Sequence, residues 1–270
     1  MFGTNPVVGP RPLEQGYLVK KIFYTVQGEG PFAGRPAIFV RFSGCNLRCT
    51  FCDTDFQGGE EYDLAALAEV LWEKMEEHSC PLLVFTGGEP MLQEVLAIAE
   101  RLAADWHEGT MPAGRSVLPC PHVQIETAGT VWPEWPRKDE PCYDMYLNDM
   151  FGFNDYVTLV CSPKTPKVHS LVAEHCRHWK YIIQAGKTSA IDGLPVSSTQ
   201  KPGAEAHIYR AIATGGGAQN AYKDIIYAQP CDEYETNPVF NEANIKEAVR
   251  VSMKYGYILS IQIHKIAGVE

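Results

Sequence analysis

The 270-residue chain has no apolar run approaching the roughly 20 residues that a membrane-crossing helix needs. Its first residues, MFGTNPVVGPRPLEQG, lack the basic start and apolar stretch of a secretory signal. Together these absences predict a cytoplasmic protein. Positive charge is scarce as well: 23 Lys and Arg stand against 33 Asp and Glu, a net charge of −10. That balance argues against a broad phosphate-binding face and places a small-molecule substrate ahead of nucleic acid. There is no internal repeat. The three glycines Gly215–Gly217 have no strand before them and no Lys-Ser/Thr after them, so they predict a flexible loop, not a phosphate cradle. With 45% hydrophobic and 21% charged residues, the length fits one globular domain over residues 1–270.

Nine cysteines cannot all pair as internal disulfides, and in a reducing compartment clustered cysteines bind metal or do chemistry. Cys45, Cys49 and Cys52 lie within eight positions; the other six are scattered and read as small buried hydrophobes. Short β-branched segments alternate with helical patterns. Strands are predicted over Tyr17–Thr25, Ala37–Phe42, Pro81–Thr86, His122–Thr127, Tyr156–Cys161, Trp179–Gln184, Ile225–Gln229 and Tyr257–His264. Helices are predicted from Asp63 to about Glu77, over Met91–Asp105 and over Asn241–Tyr255. The alternation indicates an α/β protein with a parallel sheet, open or curled into a partial barrel. Residues 106–121, 131–154 and 186–222, rich in Pro, Gly and polar side chains, read as surface insertions.

The run Gly44-Cys-Asn-Leu-Arg-Cys-Thr-Phe-Cys-Asp-Thr54 follows a predicted strand directly. Three thiolates this close can hold one metal centre from a single loop. Structural zinc wants four protein ligands, and His264 or a distant cysteine would have to supply the fourth. Three thiolates on a four-iron cluster leave one iron open, which the amine and carboxylate of an amino acid can chelate. Thr86-Gly-Gly-Glu-Pro90 ends the next strand: Gly87 and Gly88 allow close backbone approach to a ligand, and Glu89 can accept from an ammonium. Both motifs fall at carboxyl ends of strands, where open sheets and barrels bind ligands.

The C-x3-C-x2-C spacing, with aromatic Phe51 before the last cysteine, resembles the radical S-adenosylmethionine superfamily, as does the Gly-Gly-Glu-Pro turn. Val26-Gln-Gly-Glu-Gly30, then Gly34, Pro36, Phe39, Arg41 and Cys52-Asp-Thr54, resemble 7-carboxy-7-deazaguanine synthases. Glu126-Thr-Ala-Gly129, Ser162-Pro-Lys164, Gln229-Pro-Cys-Asp232 and Gln262-Ile-His-Lys265 are similar to later segments of that family.

The resemblance implies an incomplete TIM-like β/α barrel and radical cleavage of S-adenosylmethionine at a [4Fe-4S] cluster held by Cys45, Cys49 and Cys52. It implies Mg²⁺-assisted ring contraction of 6-carboxy-5,6,7,8-tetrahydropterin, with loss of ammonia, to the deazaguanine precursor of queuosine. Val26, Gln27, Gly28, Glu29, Arg41, Thr127, His264 and the terminal Glu270 would meet the substrate. Arg41 would offer a bidentate fork to its carboxylate, and Thr54 an oxygen to Mg²⁺. S-adenosylmethionine would contact Phe51, Gly87, Gly88, Glu89, Gly129, Ser162, Pro163, Lys164, Gln229, Pro230, Cys231 and Asp232. A flavodoxin- or ferredoxin-like electron donor and a homodimer are implied too. This chain departs from the family at Ala128, where an asparagine is usual, and at Glu270, where short members end in proline. A glycyl-radical activating enzyme and a zinc-stabilised binding module are the alternatives.

Overall fold

The computed structural model describes residues 6–50, 52, 54–111, 118–135, 143–153, 155–200, 207–211, 224–232 and 238–269. Its strands are Tyr17–Val26 (β1), Pro36–Phe42 (β2), Glu60–Tyr62 (β3), Leu82–Gly87 (β4), His122–Thr127 (β5), Val157–Cys161 (β6), His178–Ile183 (β7), Ile225–Pro230 (β8) and Ile258–Leu259 (β9). They form one open sheet in the order β3-β1-β2-β4-β5-β6-β7-β8-β9. From β2 to β9 every pairing is parallel, as the strand–helix alternation predicts. β1 instead runs antiparallel to β2 and β3. The reason is the short return between Gln27 and Arg35, far too short for the crossover that parallel neighbours require.

The described helices are Leu64–His78 (α1), Val95–Glu108 (α2), Tyr143–Asn148 (α3), Ser170–His175 (α4), Pro238–Tyr255 (α5) and Ile263–Ala267 (α6). Asp63 starts α1 by accepting from the Ala66 N–H at 2.8 Å, and Ser79 ends it in the left-handed conformation. α1 buries Leu67, Leu71, Trp72 and Met75, and α2 buries Val95, Leu96, Ile98 and Leu102. Both faces meet the apolar strands β2 and β4 in one core.

Three sequence expectations change. His264 lies on α6, not on a strand: β9 stops at Leu259, and the one-turn helix that follows is too short to leave a 3.6-residue period. Residues 143–153 contain α3 and a turn of π-helix inside the second insertion. The third insertion is not wholly a surface loop, because Leu194, Ile208 and Ala211 are buried. Gly215–Gly217 lie outside the described residues.

Candidate active site

In the parallel register Phe42 pairs with Gly87, Thr127 with Cys161 and Ile183 with Pro230. The carboxyl ends of these strands therefore lie side by side, and they open on a cavity of about 340 Å³. Cys45, Cys49 and Cys52, on the loop after β2, line it. The turn after β4 is tied to that loop: Gly88 N donates to Phe42 O at 3.1 Å, and Glu89 N to Gly44 O at 2.9 Å. A Cβ on Gly88 would lie 1.8 Å from Gly44 O, and one on Gly87, at φ +121°, would lie 2.2 Å from Phe42 O. These glycines make room first for the cysteine loop, and both still face the cavity.

Burial pushes the Cys45 thiol up to about 12. Coordination to a metal is what turns such a thiol into a thiolate. Among the described residues, no three His, Cys, Asp or Glu side chains are grouped to hold a single metal ion. Cys45, Cys49 and Cys52 share one cavity wall, as the ligands of a single cluster would.

Further into the cavity lies a buried charged network. Lys180 Nζ donates to Glu29 Oε2 and lies 3.6 Å from Glu126 Oε2. Gln229 Nε2 and Gln262 Nε2 donate to Glu29 Oε1 at 3.1 and 2.6 Å. Gln27 and Gln124 each donate to Glu126 Oε1 at 3.0 Å. Burial alone would raise the Glu29 carboxyl, but the Lys180 ammonium and its hydrogen bonds hold it well below the usual range. Lys180 is likewise pulled down by burial and lifted further by Glu126 and Glu29. The Gln229 Oε1 atom is buried with no partner, an acceptor left over in the cavity wall. Arg41 also lines the cavity; its guanidinium rests on the Phe23 ring at 5.2 Å, and among the described residues no carboxylate pairs with it.

The Radical SAM superfamily profile matches residues 39–158, the stretch that holds both motif loops. A 7-carboxy-7-deazaguanine synthase of Rhodospirillum rubrum is 36% identical over 98% of this chain and 98% of its own. One from Rickettsia prowazekii is 29% identical over 100% of this chain and 96% of its own. The chain belongs to the 7-carboxy-7-deazaguanine synthase family. The fold agrees: a crystal structure of QueE from Escherichia coli superposes with a TM-score of 0.55 at 19% identity, covering 91% of this chain and 93% of that one.

Most residues that the synthase family implies meet in this cavity. Val26, Gln27, Glu29, Arg41, Thr54, Thr127, His264, Gly87, Gly88, Ser162, Lys164, Gln229, Pro230, Cys231 and Asp232 all line it with the three cysteines. Glu89, Gly129 and Pro163 do not. The buried Glu89 carboxylate accepts from Thr127 Oγ1 and Ala128 N, each at 2.7 Å, and from Met91 N at 3.1 Å. Gly129 is packed on Cys161, whose sulfur would meet an added Cβ at 2.6 Å. Gly28 lies behind the wall and allows His264 to approach, since a Cβ there would fall 1.9 Å from its Nδ1. Phe51 and Glu270 lie outside the described residues.

The sequence reading missed Lys180, Glu126 and Gln262 as site residues. The signal for Lys180 was present: a lone cation inside His178-Trp-Lys-Tyr-Ile-Ile183, an otherwise apolar strand, demands a buried counter-charge.

Proposed function

We propose that this cavity performs the radical ring contraction of 6-carboxy-5,6,7,8-tetrahydropterin to 7-carboxy-7-deazaguanine, with Cys45, Cys49 and Cys52 holding a [4Fe-4S] cluster. The observation that carries this reading is one cavity wall shared by the three thiols, the Arg41 fork and the Glu29 carboxylate. When bound, the cluster and S-adenosylmethionine supply the one-electron chemistry that takes a hydrogen atom from the substrate.

The chain's own residues bind and orient. Glu29, kept ionised by Lys180, accepts an N–H bond from the guanidine-like edge of the pterin; a carboxylate has about four acceptor sites, so the three donors seen in the structure leave one. Gln27 and Thr127 flank that edge, and His264 closes the cavity from α6. Burial lowers the His264 pKa, partly opposed by Glu29, so its ring is neutral at pH 7. Arg41 binds the substrate carboxylate by two parallel hydrogen bonds. Thr54 offers one oxygen to Mg²⁺, with water and substrate completing the hard-oxygen shell that ion prefers. Ser162, Lys164 and Gln229–Asp232, which line the same cavity, would hold S-adenosylmethionine.

Radical chemistry of this kind needs an electron donor, here of flavodoxin or ferredoxin type. No described helix is long and apolar enough to cross a membrane. A cytoplasmic homodimer is the assembly we propose. The glycyl-radical activase and the zinc module find no support among full-length relatives, which are synthases.

Anaerobic incubation with S-adenosylmethionine, dithionite, Mg²⁺ and the carboxytetrahydropterin, followed by mass spectrometry, tests the reading. The expected products are 7-carboxy-7-deazaguanine and ammonia, and none from Cys49→Ala. Cleavage of S-adenosylmethionine without that product would refute the substrate while sparing the cluster.

A further inference from the structure

The third insertion reaches back to the cysteine loop. Thr199 Oγ1 lies 3.3 Å from Cys49 Sγ, and Gln200 Nε2 lies 3.2 Å from the same sulfur. The segment is fixed on both sides of that contact. On the loop, Thr50 N donates to Thr199 O at 3.1 Å and Arg48 N to Gln200 Oε1 at 2.9 Å. Towards β6, Thr199 N and Ser198 Oγ donate to Lys164 O at 3.2 and 2.9 Å. Residues 198–200 thus form a strap between the cysteine loop and the Ser162–Lys164 wall.

We propose that Thr199 and Gln200 are positioning residues for the cluster, two side-chain donors that hold the Cys49 sulfur and raise the cluster's reduction potential. The inference rests on Cys49 being a cluster ligand. Reduction adds negative charge that is shared with the ligand sulfurs, so donors aimed at a sulfur stabilise the reduced state more than the oxidised one. Hydrogen bonds to sulfur are among the factors that set the potentials of such clusters. The Thr199 hydroxyl has one proton and two acceptors in reach, Cys49 Sγ and, at 3.4 Å, Lys164 O. A thiolate is the stronger of the two because it is charged. The backbone bonds of Thr199 and the acceptor oxygen of Gln200 already hold the loop, so the two donor groups facing sulfur add something that anchoring alone does not require.

The test is an anaerobic redox titration of the reconstituted full-length protein, followed by electron paramagnetic resonance. Thr199→Val keeps both backbone bonds and the side-chain shape but removes the donor; Thr199→Ser restores it. Gln200→Glu keeps the acceptor for Arg48 N and sets a carboxylate against the sulfur. At the wild-type midpoint, the reduced-to-oxidised ratio is expected to fall about threefold in Thr199→Val and to recover in Thr199→Ser. In Gln200→Glu it should fall about tenfold, which for a one-electron couple corresponds to roughly 59 mV. An unchanged midpoint in Thr199→Val overturns the proposal, whatever that variant's iron content. If Gln200→Glu fails to hold a cluster, the valine–serine pair decides alone. A wild-type protein that takes up no iron overturns the cluster reading itself, a different and recognisable failure.

Discussion

Lys180 and Glu29 form a buried ion pair across 151 residues of sequence, joining the middle of β7 to the loop after β1. The pair keeps ionised the carboxylate that we propose reads the pterin. Because Lys180 depresses the Glu29 pKa, the associated stability is fully present above the ordinary carboxylate range and is lost only as pH falls well below it. Lys180→Met leaves Glu29 and Glu126 buried without their cation. Breaking such a pair costs about 3–5 kcal/mol of stability. Burial then dominates Glu29 and raises its pKa, so kcat/KM of the variant should climb from pH 6 to 9 while the wild type stays flat. A flat profile in Lys180→Met would show that Glu29 does not need its cation to bind substrate.

Gly28 and His264 give a second prediction. Gly28 is not among the positive-φ glycines, so alanine suits its backbone, and the obstacle is the His264 ring 1.9 Å from the new Cβ. Gly28→Ala should push α6 outwards. That helix is five residues long, and the displaced contacts include Ile263 N to Gly28 O and Gln262 to Glu29. The unfolding midpoint should therefore hardly move. KM for the pterin should rise about tenfold, equivalent to roughly 1.4 kcal/mol of binding, and proteolysis near the C-terminus should accelerate. A normal KM would place His264 and Gln262 outside the binding surface.

Much of this fold could be read because its central strands are largely buried. PLLVF and Tyr156–Cys161, broken only by Thr158, are mostly apolar runs, and such runs between helical patterns give the parallel sheet. Alternation could not reveal the antiparallel β1, whose orientation is set by the length of a turn, nor α4 and α6, each under two turns. At the site, the cysteines, Arg41 and Glu29 sit on local motifs and were legible. The pairing of Lys180 with Glu29 and Glu126 was not, because it joins three separate strands or loops that only the folded sheet brings together. Glu89 shows what a motif leaves out: its motif suggests a ligand contact, and only the fold shows that its carboxylate also accepts from Thr127, Ala128 and Met91.

Glu89→Gln separates those two roles. Burial raises the Glu89 pKa despite its three donors, and both oxygens act as acceptors. A glutamine must place its NH₂ against the Ala128 N–H or against the pair from Thr127 and Met91. A buried donor left facing a donor costs about 1–3 kcal/mol, so the thermal midpoint should drop. Affinity for S-adenosylmethionine, measured by equilibrium dialysis on the reconstituted protein, should change little at temperatures where the variant is folded. Normal stability with lost affinity would instead place Glu89 on the ammonium of the ligand.

His122 contributes to the acid limb of stability. It begins β5 with Nε2 2.8 Å from Thr158 Oγ1 and its ring edge-on to Phe32, and burial, with a smaller push from Arg35, lowers its pKa from 6.5 to about 4. The unfolded chain takes up a proton on this histidine near pH 6.5, and the folded chain does so only near pH 4. Stability is therefore fully present above pH 6.5 and declines as pH falls through the window between those values, by about 3 kcal/mol at the bottom of it. His122→Gln keeps a polar group near Thr158 but cannot titrate. Urea unfolding at pH 7, 6 and 5 should show the wild-type midpoint falling faster than that of the variant, at equal m-values. Parallel decline in the two proteins would assign the acid sensitivity to other groups, among them His175, His178 and His264, whose pKa values burial also lowers.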